Sequence, residues 1–427
     1  MPDPSPVITV NQRGAARLRA GHLWVYRSDL VPPVEAPAGA LVHVRDDRGR
    51  RQGSALYSSA SQIAIRLLTN DDVSDNQLAS LLRERVAAAV DFRQRLVRDT
   101  DSFRVVFSEA DLLPGLIVDK YNDILSMQAL TQAFDRDDLR QLVLDSLAGH
   151  FPGAAILERV DPHIRELEQL PPLDSQLRVP PSCHPEPSEA KSRDLLSSPS
   201  TGPGCDKVGH SKTIFTLNGV RFHYDGLSGQ KTGAFLDQRE NYAAAARYAH
   251  GDALDVFTYQ GGFALHLARV CRSVTAVDSS RPALEVAEQN EQLNRGQHRS
   301  GEIEWIEANA FDLLKDYAIA GRQYDTIVLD PPAFAKTKRA VQTALRGYKE
   351  LNLRALKMLR PGGILITCSC SFHVSEAEFL EMLGSAAADA GRRLRVLEKR
   401  GAACDHPVLL NVPETSYLKC VIGEVLP

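Results

Sequence analysis

The chain has 427 residues, of which 43% are hydrophobic and 24% charged, which is typical of a globular protein of two or three domains and excludes a fibrous or wholly disordered chain. A formal net charge of −4 disfavours a protein that binds nucleic acid through a globally basic surface. The seven cysteines are scattered, the first ten residues lack a secretion leader and no run of about 18 apolar residues occurs, so we expect a cytoplasmic protein with reduced thiols and no membrane span.

Residues 7–68 contain short runs of alternating apolar and polar residues, separated by turn residues such as Gly21 and Pro32-Pro33. This pattern predicts a small, all-β barrel or sandwich over residues 1–70. The same segment has nine arginines against five acidic residues. The local positive charge indicates either a phosphate-contacting face or an ordinary solvated surface.

A long amphipathic helix is predicted over 75–98, because apolar residues recur there at helical spacing and Ser74 is a suitable N-cap. After it the pattern predicts an α+β region, which gives a middle domain over residues 71–170. Its predicted elements are strands at 103–107, 114–121, 123–130 and 154–160 and a helix near 135–149.

Residues 171–213 are rich in Pro, Ser and charge, with few residues that could form a core, so we expect a flexible linker or insertion. This segment contains two Cys-His combinations, Cys183-His184 and Cys205 with His210. Their spacing does not match that of a zinc finger, so no metal site is predicted.

From residue 214 to 427 predicted strands alternate with predicted helices, which indicates a parallel sheet with helices on both faces. In such sheets ligands bind beyond the carboxyl ends of the strands. The predicted strands lie at 253–257, 273–278, 303–308, 324–330 and 362–371, and the helices near 263–270, 281–294, 338–359 and 375–390.

The first three of these strands end in residues suited to a nucleoside cofactor. Asp255 ends the first strand, and Gly261-Gly262 open the next helix, where backbone can approach a ligand closely. Asp278 ends the second strand, where a carboxylate can accept both hydroxyls of a ribose. Asn309 follows the third, either to meet an adenine amino group or to cap a helix. A nicotinamide cofactor and S-adenosylmethionine (SAM) would both use this pattern, but the absence of G-x-G-x-x-G disfavours the dinucleotide.

The fourth strand runs into Asp330-Pro331-Pro332, where two prolines fix the backbone and hold the carboxylate at the crevice. A carboxylate before Pro-Pro at this position favours a nucleic-acid methyltransferase.

The fifth strand carries Cys368 and Cys370, which share one face because side chains alternate along a strand. C-x-C without a second pair of ligands is a poor zinc site and does not match a C-x-x-C redox motif. Cys368 is therefore predicted to be a core residue, and Cys370, nearer the crevice, is the candidate nucleophile.

Several motifs together resemble the ribosomal RNA large-subunit methyltransferase I family of bacteria and archaea. They are "FSEADLLPGLIVDKY" (107–121), "GLSGQKTGAFLDQREN" (226–241), "LDPPAF" (329–334), "RGYKELN" (346–352), "TCSCSFHV" (367–374) and "DHP" (405–407). The resemblance covers nearly the whole chain except 171–213. It implies an α/β fold, with an N-terminal PUA-like β-domain (1–70), an α+β middle domain (71–170) and a C-terminal Rossmann-like class I methyltransferase domain (214–427).

The family makes 5-methylcytidine in large-subunit ribosomal RNA with SAM, and the resemblance implies Cys370 as its nucleophile. Asn309 stands where the family commonly has an acidic residue. The cofactor contacts implied by the resemblance are Gln230, Lys231, Thr232, Phe235, Gln238, Arg239, Asp255, Gly261, Gly262, Asp278, Asn309 and Asp330.

The mechanism expected from these residues starts with addition of the Cys370 thiolate to carbon 6 of cytosine, because carbon 5 alone is a poor nucleophile. Asp330 would donate a proton or a hydrogen bond to N3, and His406 or a water would remove the proton from carbon 5. The alternatives are a guanine-N methyltransferase, which needs no thiol, and a non-catalytic RNA-binding protein of ribosome assembly. The target nucleotide, the state of the RNA substrate, the role of the insertion and the oligomeric state, a homodimer included, stay open.

Overall fold

The computed structural model describes residues 5–98, 100–178, 211–227, 234–296 and 301–427. The N-terminal region forms one five-stranded sheet in the order β1-β3-β4-β5-β2. Its elements are β1 (Val7–Val10), α1 (Gln12–Arg19), β2 (Trp24–Tyr26), β3 (Leu41–Asp46), β4 (Arg51–Tyr57) and β5 (Ile63–Thr69).

The expectation of an all-β module is wrong because of helix α1. This helix begins after Asn11, whose side chain accepts a hydrogen bond from the backbone N–H of Gly14 at 2.9 Å. Ala15 and Leu18 on one face of the helix are buried in the same core as Ile8 and Val10 of β1. An isolated peptide of eight residues would not form a stable helix, so the packing of Ala15 and Leu18 in this core stabilises α1.

The middle region is built on a second five-stranded sheet, in the order β10-β9-β8-β7-β6, and on helix α2, which packs on it. The predicted N-cap Ser74 is confirmed, and its backbone N–H bonds the Gln77 side chain at 2.9 Å. The elements are α2 (Asp75–Leu96), β6 (Ser102–Phe107), β7 (Leu116–Tyr121), β8 (Ile124–Ala129), α3 (Gln132–Asp135), α4 (Asp137–His150), β9 (Ala155–Glu158), α5 (Pro162–Leu167) and β10 (Gln176–Arg178).

The expectation of a linker or insertion over 171–213 is wrong at both ends of that range. Gln176–Arg178 pair with β9, and a strand begins at Lys212. Backbone pairing in a sheet thus overrides the polar composition at both ends of the segment. Residues 179–210, with the four Cys and His residues considered for zinc, lie outside the described residues.

The C-terminal region holds a hairpin and a seven-stranded sheet in the order β15-β14-β13-β16-β17-β19-β18. The elements are β11 (Lys212–Leu217), β12 (Val220–Asp225), α6 (Arg239–Tyr248), β13 (Asp252–Val256), α7 (Gly262–Leu267), β14 (Ser273–Asp278), α8 (Arg281–Asn294), β15 (Glu302–Glu307), α9 (Ala310–Ile319), β16 (Tyr324–Leu329), α10 (Val341–Met358), β17 (Leu359–Ser369), α11 (Glu376–Asp389), β18 (Leu394–Arg400) and β19 (Lys419–Val425).

The expectation of a parallel sheet holds for the five strands from β13 to β17 and is wrong at one side. There β19 runs antiparallel between β17 and β18. The three central strands, β13, β16 and β17, are mostly buried, as expected for strands covered on both faces. At the edge of the sheet β15 instead alternates Glu with apolar residues. Within the described residues, no helix is both long and apolar enough to cross a membrane.

Candidate active site

Polar side chains follow the parallel strands at the sheet's carboxyl edge. Asp255 lies on β13, Asp278 ends β14, Asn309 comes just after β15, and Asp330 follows β16 directly. Cys370 follows β17. Because these strands are neighbours and parallel, the structure brings the five predicted residues to one edge. This edge is the crevice in which sheets of this kind bind ligands.

Asp255 is fully buried and serves the loop that follows β13. Its Oδ2 accepts a hydrogen bond from the Thr258 hydroxyl at 2.6 Å. Burial raises the pKa of the Asp255 carboxyl to about 7, although the bond from Thr258 opposes the shift. The hydrogen bond with Thr258 thus holds the loop that follows β13.

The loop from Phe257 to Gly261 has an unusual backbone. Phe257 has φ of 68°, Tyr259 of 52° and Gly261 of 85°, so two non-glycine residues occupy the left-handed region. The loop is fixed to the next strand, because the Tyr259 N–H donates to Asp278 Oδ2 at 2.9 Å. Asp278 Oδ1 accepts from the Ser280 N–H at 2.9 Å. The Asp278 carboxylate is therefore held rigidly, and each oxygen keeps a lone pair for a ribose hydroxyl.

Gly262, the first residue of α7, is required by packing. A Cβ there would stand 2.5 Å from the Tyr242 hydroxyl oxygen. Asn309 is the N-cap of α9, since its Oδ1 accepts from the N–H groups of Phe311 at 2.9 Å and Asp312 at 3.3 Å. The capping interpretation of Asn309 is thus realised, and an adenine amino group would compete with the helix for this oxygen.

The segment before α6 carries further predicted cofactor residues. The Gln238 amide donates to Asp330 Oδ1 at 3.0 Å, so this residue fixes the carboxylate at the crevice. The Phe235 ring packs edge-on against Tyr259, with 5.1 Å between centroids. Arg239 instead donates to the buried Asp405 at 3.3 Å. Gln230, Lys231 and Thr232 lie outside the described residues.

Cys370 lies against the loop that carries Asp330. Its thiol donates to the Pro331 carbonyl oxygen, with 3.9 Å between sulfur and oxygen. The next residue, Ser371, is fully buried and accepts a hydrogen bond from the Ala335 N–H at 3.0 Å. The Tyr348 hydroxyl lies 2.9 Å from the Ser371 hydroxyl. Two successive residues thus join the end of β17 to the Pro-Pro loop.

Cys368 is a core residue, as predicted. Its side chain is fully buried and lies opposite Cys420 in the register of β17 and β19. Burial raises the pKa of the Cys368 thiol well above its ordinary value, and the neighbouring Cys420 and Asp330 add to the shift. Cys370, by contrast, is partly exposed. The two sulfurs therefore have different surroundings, and only Cys370 is open to a substrate.

Two groups beside Cys370 were missed from the sequence. Lys419 opens β19, is 8% exposed, and donates from Nζ to the Ser371 carbonyl at 2.6 Å and the Tyr417 carbonyl at 2.8 Å. The Tyr417 hydroxyl donates to Asp237 at 2.6 Å. A lysine inside the apolar run "YLKCVIGEVL" is the signal that could have pointed to this position.

The middle region also contributes to this neighbourhood. Asp405 is fully buried and accepts from the backbone N–H of Arg104, on β6, at 2.9 Å. His406, considered above as a base, has Nδ1 3.2 Å from Asp405 Oδ1 and packs on Phe107 with 5.3 Å between ring centroids. The "DHP" motif therefore fastens β6 to the methyltransferase-like sheet.

The family models match in the order that this architecture suggests. Residues 8–70 match a PUA-like domain, and residues 206–411 match an S-adenosylmethionine-dependent methyltransferase. A structure solved in complex with SAH superposes with a TM-score of 0.77 at 18% identity, covering 98% of this chain and 100% of that one. A Streptococcus mutans structure assigned as a SAM-dependent methyltransferase gives 0.76 at 17% identity, with the same coverage. The class is therefore a SAM-dependent methyltransferase with a PUA-like N-terminal domain.

The curated relatives give the particular family. A protein of Shewanella denitrificans is 35% identical, and one of Pseudoalteromonas translucida 32% identical, each over 96% of this chain and 96% of the relative. A third, of Citrobacter koseri, is 32% identical over 93% of this chain and 94% of its own length. All three are named ribosomal RNA large subunit methyltransferase I. The chain belongs to this family.

Proposed function

We propose that this protein transfers a methyl group from SAM to carbon 5 of a cytidine in large-subunit ribosomal RNA, through a covalent bond between Cys370 and carbon 6. The observation that carries the proposal is the contact of the Cys370 thiol with the Pro331 carbonyl, 3.9 Å apart. Because Pro331 directly follows Asp330, this contact supports a joint role for the partly exposed Cys370 thiol and the Asp330 carboxyl. The names of the curated relatives support the RNA substrate.

The side chains at the crevice fit SAM by their chemistry. The rigidly held Asp278 carboxylate suits the ribose hydroxyls, and Phe235 with Tyr259 offers aromatic surface nearby. Gln238 and Asp330 form one hydrogen-bonded unit at the adjoining strand end. When bound, SAM supplies the methyl group that carbon 5 receives.

The protein's own part in the reaction is to activate the base. Cys370 adds to carbon 6, which makes carbon 5 nucleophilic. Asp330, oriented by Gln238, donates a proton or hydrogen bond to N3, where negative charge develops. After removal of the carbon 5 proton by a base, the bond between Cys370 and carbon 6 breaks and Cys370 is released as a thiolate.

RNA recognition is assigned to the N-terminal region. We propose the division into a PUA-like RNA-binding domain (1–70), a middle domain (71–170), the segment 171–213 and the methyltransferase domain (214–427). A duplex would hide carbon 6, so the target cytidine must be unpaired or flipped into the crevice. The N-terminal domain would then bind the RNA backbone while the crevice receives the base.

The decisive experiment uses large-subunit RNA transcribed with 5-fluorocytidine. The fluorine at carbon 5 cannot be removed as a proton, so the bond between the enzyme and carbon 6 persists. We expect a SAM-dependent complex that resists SDS, with RNA located on Cys370 by mass spectrometry. Cys370→Ala should not form this complex, whereas Cys368→Ala should form it.

The rival functions give different results in the same assay. A guanine-N methyltransferase would transfer tritium from labelled SAM to ordinary RNA without forming an adduct. A non-catalytic assembly protein would bind RNA and transfer no label. Full methyl transfer by Cys370→Ala would contradict the nucleophile assignment, and mapping of 5-methylcytidine in the product identifies the target.

A further inference from the structure

Lys419 is a buried lysine at the strand end that carries the proposed nucleophile, and it has no role in the proposed mechanism above. Lys419, on β19, lies directly opposite Ser369, on β17. Ser369 is the residue that precedes Cys370. Two of its three N–H groups are directed at the carbonyls of Ser371 and Tyr417. The amino group is thus held by backbone carbonyls of Ser371 and Tyr417, and Lys419 is buried.

The charges around Lys419 come from three elements. A Cys370 thiolate and Glu378, on α11, both favour the ammonium form, but burial is the larger effect and lowers the pKa of Lys419 to about 8. Burial raises the pKa of Tyr348, on α10, and of Tyr417, and a Cys370 thiolate adds to both shifts. The Tyr417 hydroxyl donates a hydrogen bond to Asp237, and the charge of Arg104 also acts on this hydroxyl.

We infer that Lys419 is the residue that makes Cys370 reactive, by accepting the thiol proton and holding the resulting thiolate as an ion pair. This inference rests on the proposed function, because it assigns a positioning residue to the same thiol. Thiols next to lysine ammonium groups ionise more readily, and the thiolate is the nucleophilic form. The hydrogen bonds to two backbone carbonyls hold the Lys419 amino group at the end of β17, so the cation forms in place when the thiol proton is transferred.

Addition of Cys370 to carbon 6 moves one proton and forms one carbon–sulfur bond. The Cys370 proton moves to the neutral Lys419 amine, and the sulfur lone pair forms the bond to carbon 6. The π pair of the carbon 5–carbon 6 bond shifts into the ring, where N3 takes a proton or hydrogen bond from Asp330. After methyl transfer a base takes the carbon 5 proton, and the electron pair of that bond re-forms the double bond between carbon 5 and carbon 6. The pair of the carbon 6–sulfur bond returns to sulfur as a thiolate facing the Lys419 ammonium, and N3 returns its proton or hydrogen bond to Asp330. No outside redox partner is needed.

The test measures the pH dependence of Cys370 alkylation by iodoacetamide in the full-length protein without RNA. Tandem mass spectrometry separates Cys370 from Cys368. We expect Lys419→Met to move the alkylation midpoint upward by about one pH unit, which makes alkylation at pH 7 roughly tenfold slower. The matched control is Lys399→Met on β18, because Lys399 is an exposed lysine paired with Glu376. It should keep the parent profile.

Lys419→Arg keeps the positive charge and should keep the midpoint near that of the parent, while SAH binding reports on folding of each variant. An unchanged profile in folded Lys419→Met would overturn the inference, and so would an Arg variant that behaves like Met. These outcomes are separate from the adduct assay. If Cys370→Ala still methylates RNA, the proposed function fails, whereas the alkylation profile alone decides the role of Lys419.

Discussion

The Ser371 hydroxyl oxygen lies 3.0 Å from the backbone nitrogen of Ala335 and accepts its hydrogen bond. The residue after the proposed nucleophile therefore holds the loop that begins at the proposed acid, Asp330. The Tyr348 hydroxyl, 2.9 Å from the Ser371 hydroxyl, completes a buried polar unit between α10, β17 and the loop. Together with the contact between the Cys370 thiol and the Pro331 carbonyl, Ser371 links the thiol and the carboxylate that follow two neighbouring strands.

Ser371→Ala tests that relationship. The variant leaves the Ala335 N–H and the Tyr348 hydroxyl without their partner in a buried site, which costs about 1–3 kcal/mol in the free energy of unfolding. Because the loop can then shift relative to Cys370, we expect kcat for RNA methylation to fall roughly 10- to 100-fold. Steady-state kinetics and urea unfolding measure the two effects. Ser375→Ala, at the exposed cap of α11, is the control and should leave kcat unchanged.

Asp330→Asn removes the proposed acid while the hydrogen bond with Gln238 can be kept by the amide. General acid catalysis contributes about 10²- to 10⁴-fold, so we expect kcat to fall within this range. SAH affinity, measured by calorimetry, should change far less than kcat. The 5-fluorocytidine adduct should form more slowly in single-turnover experiments. An undiminished rate of adduct formation would exclude Asp330 from the activation of the base.

The buried Asp405 carboxylate predicts how the free energy of unfolding depends on pH in the acid range. Burial alone would raise its pKa, but His406, Arg239 and the Arg104 N–H hold the pKa of this carboxyl well below its ordinary value of 3.8. A depressed pKa contributes stability above pH 3.8, and that stability is lost as the pH falls further. Asp405→Asn should therefore lower the free energy of unfolding at pH 7 by about 1.5–3 kcal/mol, the contribution of a hydrogen bond to a charged group, because buried Arg239 then keeps only Glu240, 3.4 Å away, as its anion.

The difference in the free energy of unfolding between Asp405→Asn and the parent should become smaller below pH 4, because protonation of Asp405 removes the carboxylate charge from the parent as well. Thermal unfolding from pH 7 to pH 3 measures it. Glu376→Gln removes the exposed ion pair with Lys399 and should cost at most about 1 kcal/mol at any pH. A constant difference across the whole range would show that the carboxylate charge is not what stabilises the site.

The carboxyl edge of the sheet was predictable because most of the parallel strands are short, largely apolar stretches followed by a polar residue, although β15 alternates Glu with apolar residues. This local pattern was enough to place Asp278, Asp330 and Cys370 at one edge and to separate Cys368 from Cys370. Strand direction followed from the alternation with helices. Sequence reasoning worked wherever the information lay within about ten consecutive residues.

The groups that support the site could not be found in the same way. Lys419 meets the end of β17 across an antiparallel strand pair, and Asp405 meets Arg104 from a distant part of the chain. Neither contact leaves a local pattern, because each depends on the pairing of remote segments. Helix α1 was missed for a related reason, since Gly14 and a short apolar face predict helix weakly without the core against which it packs.

The turn between β3 and β4 is the part of the N-terminal region best suited to contact RNA phosphates. Several other arginines there are held by buried or backbone partners, as Arg17 is by Asp29 and Arg27 by backbone carbonyls. Arg48 and Arg51 are exposed, and the partner of Arg51, Asp71 at 3.4 Å, is itself exposed, so this ion pair is weak. The double variant R48A/R51A should weaken RNA binding and make the slope of log K against log salt shallower by roughly 1 to 2, since each phosphate contact contributes about 0.7 to 0.9. Arg395→Ala, an exposed arginine of β18, is the control and should keep the parent slope. Filter binding at several salt concentrations measures both, and parallel lines for the double variant and the parent would move the RNA contact away from this turn.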